Sequence, residues 1–293
     1  MNHKAIIEKD NKIINLSDTN KYPCIETESL KDIYRLKNIT DKQRDKRFTY
    51  YDYMGVPVPR VSNILDYCSD QSGIISWAAS CGKKYVNIRD DALVIGTMVH
   101  EAIEKYLRRE LDIGELATEF GDNRLSEQAC TAFKNFVAWQ RSLEFAGFYI
   151  EHVYAIEEVM TCPYFGGTCD AIVKINGADY VIDFKTSKYI NTSYLIQLSV
   201  YYWLINNGYC KAINHVDGIG VIRVDKNTKN KYDDFFLNAH IPWQNESLNV
   251  YINTFGSYCN AYYHGINSMV EFNSTKESVS KNIYTTLRGE DVW

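Results

Sequence analysis

The chain contains no Cys-x-x-Cys pair, no long apolar run, no excess of positive charge, and no internal repeat or low-complexity block. Its eight cysteines stand at 24, 68, 81, 130, 162, 169, 210 and 259, so the strongest sequence signal for structural zinc is missing and reduced thiols fit best. No stretch approaches the roughly 20 apolar residues of a membrane-spanning helix. Residues 1–20 are polar and broken by charge, unlike a signal peptide. These absences lead to the expectation of a cytoplasmic protein with no membrane partner. A net charge of -5 excludes a general basic coat, so any phosphate binding depends on local patches or a bound metal. Patches occur at Lys42, Arg44, Lys46 and Arg47, at Lys83, Lys84 and Arg89, and at Lys226, Lys229 and Lys231. Each by itself reads more readily as a solvated face.

What is present is an ordinary globular composition, 45% hydrophobic and 24% charged, in 293 residues, enough for one large domain with additions. The 23 tyrosines serve either as core fillers with a hydrogen-bonding tip, the commoner use, or as stacking surfaces for bases. Residues 1–55 read as a polar arm, 56–272 as the main domain and 273–293 as a polar tail. Pro57 and Pro59 bracket an extended segment, and Ser62 is an N-cap candidate for a helix carrying Ile64, Leu65 and Tyr67. Helices are expected at Ile74 to Tyr85, Ala92 to Arg109, Ser126 to Phe145, Ser193 to Asn206 and Glu246 to Tyr263, from apolar residues at helical spacing. Strands are expected at Val153 to Met160, Gly167 to Ile175, Tyr180 to Lys185, Val216 to Val224 and Phe235 to Ala239, with a hairpin turn at Asn176-Gly177. This order predicts an α/β fold with a central mixed β-sheet flanked by helices and a helical N-terminal region.

The chemistry concentrates in Gly167-Thr168-Cys169-Asp170 and Asp183-Phe184-Lys185. Val181 and Ile182 lead straight into Asp183, and Ala171 to Val173 follow Asp170, so both acids sit on apolar strands. A carboxylate in such surroundings must be protonated, paired or bound to a cation. Residues two apart on a strand share a face, so Asp183 and Lys185 converge while Phe184 enters the opposite core and offers its carbonyl. If the turn at Asn176-Gly177 makes a hairpin, Asp170 faces Asp183 from the neighbouring strand. A surface salt bridge also produces Asp-x-Lys; the apolar flanks favour a site for a divalent metal and a phosphate. His100, within Gly96-Thr97-Met98-Val99-His100, is a further ligand type, although a lone helical histidine is more often structural or exposed. Gln197 and Tyr201 share one helical face, which alone reads best as a core-facing helix with one polar residue.

Taken in order, Gly96/His100, Gly167/Asp170, Asp183/Lys185 and Gln197/Tyr201 resemble the PD-(D/E)XK nuclease superfamily, in its RecB-like exonuclease branch, over roughly Val61 to Tyr263. The stretches Pro59 to Leu65 and Val181 to Ser187 are also similar to mitochondrial genome maintenance exonucleases and related phage enzymes. The resemblance implies a restriction-endonuclease-like core and a DNA exonuclease that leaves 5′-phosphates, in recombination, replication or repair of a bacterial or phage-infected cell. It implies Mg²⁺ or Mn²⁺ on His100, Asp170, Asp183 and the Phe184 carbonyl. Lys185 would orient or help deprotonate a water, and Gln197 would hold the lysine. Tyr201, Lys188, Arg60 and Ser62 would contact DNA, with single-stranded or end-containing DNA favoured and the protein partner unknown. Glu157 or Glu158 would be an accessory acid, with nothing to choose between them. Some branch members carry an iron-sulfur cluster; only Cys210 and Cys259 follow the Gln197 helix, so none is expected. A structure-specific or restriction-type endonuclease, and a catalytically silent nucleic-acid-binding module, are the competing readings.

Overall fold

A computed structural model of the chain describes the backbone of residues 6–9, 12–15, 50–54, 56–68, 70, 72–111, 120 and 123–288, and the side chains of residues 51–54, 58–68, 70, 72–111, 120 and 123–265. The basic run at 42–47 lies outside them, as does most of the expected arm. Two units divide the chain. One, of residues 1–45 and 256–293, holds a hairpin of β1 (Ile6–Lys9) and β2 (Lys12–Asn15) and the distal part of the last helix. The other, of residues 46–255, carries the five-stranded sheet, the helices around it and the start of the last helix.

It opens with a second hairpin, β3 (Tyr50–Tyr53) and β4 (Val56–Pro59), where the sequence suggested a loose arm up to Tyr53. Helix α1 (Val61–Cys68) follows directly. Ile64 N–H donates to Arg60 O at 3.2 Å, so Arg60 occupies the boundary position and Ser62 lies inside the first turn, correcting its expected role as N-cap. Helix α2 (Ser72–Cys81) and α3 (Tyr85–Leu107) are separated by a single 3₁₀ turn, Gly82–Lys84. The start of α3 is solvated, with Val86 and Ile88 exposed, so no apolar period marks the turns before Ala92. Helix α4 (Arg124–Phe145) is capped by Asn123, whose Oδ1 accepts from Leu125 and Ser126 N–H.

The period then switches to strands: β5 (Ile150–Thr161), β6 (Gly166–Ile175) and β7 (Ala178–Lys185) form a meander. Asn176 (φ 49°) and Gly177 (φ 78°) make the tight turn that sets the register Ile175↔Ala178 and carries it to Ala171↔Ile182. Helix α5 (Thr192–Asn206) crosses over to β8 (Gly218–Val224), which pairs parallel to β7. Strand β9 (Tyr232–Asn238) closes the sheet in the order β5-β6-β7-β8-β9. Parallel pairing requires such a crossover, and all seven residues of β8 are buried because helices cover both of its faces. Ile182, Phe184, Ile222 and Val224 pack with Val99, Ile103, Phe133 and Phe136 of α3 and α4 in the principal core. The last helix, α6 (Pro242–Arg288), outruns its expected end at Tyr263, since polar residues beyond Phe272 carry no period to read. Among the described residues no helix is long and apolar enough to cross a membrane.

Candidate metal centre

Alternation along β7 sends Ile182 and Phe184 into the core and presents Asp183 and Lys185 on the other side, at the strand's C-terminal end. Asp183 is 2% exposed, and its Oδ2 lies 2.6 Å from Lys185 Nζ. That close ion pair compensates the buried carboxylate. Across the hairpin, Asp170 Oδ2 accepts from Phe184 N–H at 2.6 Å, and its Oδ1 lies 3.4 Å from His100 Nδ1 of α3. His100, Glu157 and Asp170 each turn a ligand atom into one spot, all within 4.8 Å of one another. One imidazole and two carboxylates, with the Asp183–Lys185 ion pair nearby, form a donor set that can hold a divalent metal ion.

The charges follow from burial and mutual proximity. Burial pulls His100 down, but Asp170 and Asp183 outweigh it and raise its pKa to about 9. Burial would push Asp170 up, yet His100, Lys185 and the Phe184 N–H hold it below the usual carboxylate range. Asp183 is raised, chiefly by burial. Burial would lower Lys185, but Asp183 and Asp170 raise it. Glu157 is raised by partial desolvation and then by Asp170. This is a cluster of acids held together by two cations, and a metal would replace part of that compensation.

The two glutamates separate. Ile156 packs against the principal core, whereas Glu158 accepts from Lys211 N–H at 3.2 Å and from Cys210 Sγ at 3.8 Å, beyond the end of α5. Residues two apart on a strand ordinarily share a face. The left-handed backbone of Glu157 (φ 53°) lies between them, and the carboxylate of Glu157 comes near His100 and Asp170.

Gly167 is required by packing. A Cβ there would lie 2.4 Å from Cε1 and 2.7 Å from the hydroxyl of Tyr201. Tyr201, expected to touch DNA, is 2% exposed and lies against this glycine; its hydroxyl accepts from Gln197 Nε2 at 3.0 Å. Gln197 was expected to hold the lysine; its hydrogen bond here goes to Tyr201. Lys185 instead lies under Tyr194, with Nζ 4.9 Å from the ring centre.

Two crevices meet at Glu157. The smaller, about 260 Å³, is lined by Tyr51, Arg60, Ser62, Thr168, Gln197 and Tyr201, so Arg60 and Ser62 do come together. The larger, about 930 Å³, is lined by His100, Lys185 and Tyr194, by Trp77 and Leu93, and by Arg89 and Lys226 from two separate basic patches of the sequence. Lys188 lines neither and rests over Tyr189, 5.1 Å from its ring centre. The residues that the sequence reading missed are Tyr194 and Trp77. Tyr194 is three residues before Gln197 on α5, a spacing that marks a neighbour on the helix surface; Trp77 had no comparable signal.

The chain matches no protein-family model and no curated protein. Among solved structures it is similar to a protein of Eubacterium rectale named "Putative exonuclease", at 16% identity and a TM-score of 0.34, over 60% of this chain and 68% of that one. It is also similar to the protein SSO0001, at 16% identity and a TM-score of 0.23, over 53% of this chain and 75% of that one.

Proposed function

We propose that the protein is a Mg²⁺- or Mn²⁺-dependent DNA exonuclease that hydrolyses phosphodiester bonds to leave 5′-phosphates. The observation that carries this reading is the convergence of His100, Glu157 and Asp170 on one spot, beside the Asp183–Lys185 pair, in a crevice open to a ligand. His100, Glu157, Asp170 and Asp183 hold the cation, with the Phe184 carbonyl as a further donor. Bound there, the cation supplies charge that polarises a phosphate and acidifies a water. Lys185 carries its proton at neutral pH, because Asp183 and Asp170 more than offset the effect of burial. Its ammonium at the crevice is suited to offset negative charge gathering on the phosphate. Asp183, held against that ammonium, keeps it at the crevice floor.

An unpaired DNA end is the favoured substrate. Ile74, Trp77 and Leu93 are 52%, 42% and 65% exposed and line the crevice that contains the metal ligands. Such a wall suits unstacked bases without regard to sequence. The test is purified protein with Mg²⁺ or Mn²⁺ on 5′- and 3′-labelled single- and double-stranded DNA, beside a covalently closed circle. Release of nucleotides from ends, fastest on single strands and absent on the circle, is expected, as is its loss in Asp183→Ala and Lys185→Ala. Cleavage of the circle would make the protein an endonuclease, and binding without any metal-dependent cleavage would make it a silent recognition module.

A further inference from the structure

We propose that Tyr194, in the first turn of α5, is the residue that positions the Lys185 ammonium, a task that the sequence resemblance gives to Gln197. The inference rests on the reading of Lys185 as the charge-stabilising group. Lys185 Nζ lies 4.9 Å from the Tyr194 ring centre, within the range where the negative face of an aromatic ring attracts a cation. Its ion-pair partner is Asp183, at 2.6 Å. Gln197 gives its amide to Tyr201 Oη at 3.0 Å and lines the smaller crevice, whereas Tyr194 lines the larger one next to Lys185.

The ring is itself held in place. Asn191 stands at the capping position of α5, where its type normally accepts a hydrogen bond from a helix N–H. Its side chain makes no such bond; Asn191 Nδ2 donates instead to Tyr194 Oη at 3.3 Å, and Tyr194 N–H donates to Asn191 O at 3.0 Å. A residue suited to capping thus contacts the tyrosine hydroxyl, while the ring face meets the lysine. An ammonium on a flexible four-carbon stem has many rotamers. A carboxylate on one side and an aromatic face on the other confine it to the crevice beside His100 and Glu157.

The test uses the full chain and Tyr194→Phe, Tyr194→Leu and Gln197→Leu variants. NMR of ¹³C-labelled lysine reads the ring-current shift of the Lys185 ε-methylene, and steady-state cleavage of an end-labelled strand reads kcat and KM. The wild type, Tyr194→Phe and Gln197→Leu should keep an upfield ε-methylene, and Tyr194→Leu should lose it. Tyr194→Leu should lower kcat about tenfold with KM within about twofold, and Tyr194→Phe should restore kcat, as expected when a cation–π contact positions a group. The proposal is overturned if Tyr194→Leu keeps the shift, if Tyr194→Phe loses as much kcat as Tyr194→Leu, or if Gln197→Leu alone releases the lysine. The NMR arm needs no turnover, so an inactive wild type would sink the nuclease reading while Tyr194 is still judged by its ring current.

Discussion

At the scale of single residues, Glu157 combines backbone strain with a candidate ligand role. A non-glycine residue in the left-handed region costs roughly 1 kcal/mol or more and persists where surrounding structure imposes it. Its carboxylate is also pushed toward Asp170, which adds repulsion in the metal-free protein. Glu157→Asn, a residue that tolerates this conformation, should therefore raise the melting temperature by a few degrees while weakening Mn²⁺ binding by about tenfold or more. Glu158→Gln should leave the metal affinity unchanged. Calorimetric titration decides between them, and an unaltered Mn²⁺ affinity in Glu157→Asn would remove Glu157 from the ligand set. His100 makes a second prediction. Its folded pKa, about 9, lies above its unfolded value of about 6.5. Proton binding then stabilises the metal-free fold fully below about pH 6.5, and this contribution is lost as the pH rises through about 9. A metal must displace that proton. Mn²⁺ affinity should accordingly climb over the same window with release of close to one proton, seen as a dependence on buffer ionisation enthalpy, and His100→Gln should flatten it.

At the scale of elements, the strand that carries Asp170 packs closely against α5. Gly167 leaves the space that the Tyr201 ring fills, and Asp170 is three residues further along the same strand. Gly167→Ala should lower stability by roughly 1–3 kcal/mol through overpacking. Gly167→Ala/Tyr201→Leu should recover part of that loss, so denaturant midpoints around the cycle should show favourable coupling between the two positions. Additive losses would mean that the two positions do not share the contact. Local periodicity made much of this level legible. Met98, Ala102 and Ile103 at helical spacing placed His100 on α3, and Asn176-Gly177 set the hairpin that brings Asp170 to Phe184. Ile74, Ile75 and Trp77 on α2 have the composition of a core helix, yet α2 has no buried residue. Ser62 illustrates a subtler limit: a residue with capping chemistry one position inside a helix looks, in sequence, like a cap.

For the whole molecule, a chain of net charge -5 has to gather its cations locally if it is to meet a polyanion. Arg89, from the exposed start of α3, and Lys226, from the turn after β8, line the same 930 Å³ crevice as Lys185. Desolvation there lowers the Lys226 pKa. Arg89→Ala and Lys226→Ala should each weaken DNA binding and reduce the slope of log affinity against log salt by about 1, as the loss of one phosphate contact does. Lys229→Ala, exposed and outside the crevice, should change neither, and a fluorescence anisotropy salt series checks all three. The sequence by itself determined the α/β order, the shared face of Asp183 and Lys185, and the hairpin that carries Asp170 toward them. Those features follow from periods of 2 and 3.6 and from a two-residue turn, which act between near neighbours. Only the tertiary structure decided that Glu157 and not Glu158 turns toward His100 and Asp170, that the Tyr194 ring lies over Lys185, and which members of two basic patches line the crevice. In each case side chains from remote segments compete for one space, and the winner depends on how helices and sheet pack, which spacing along one element does not encode.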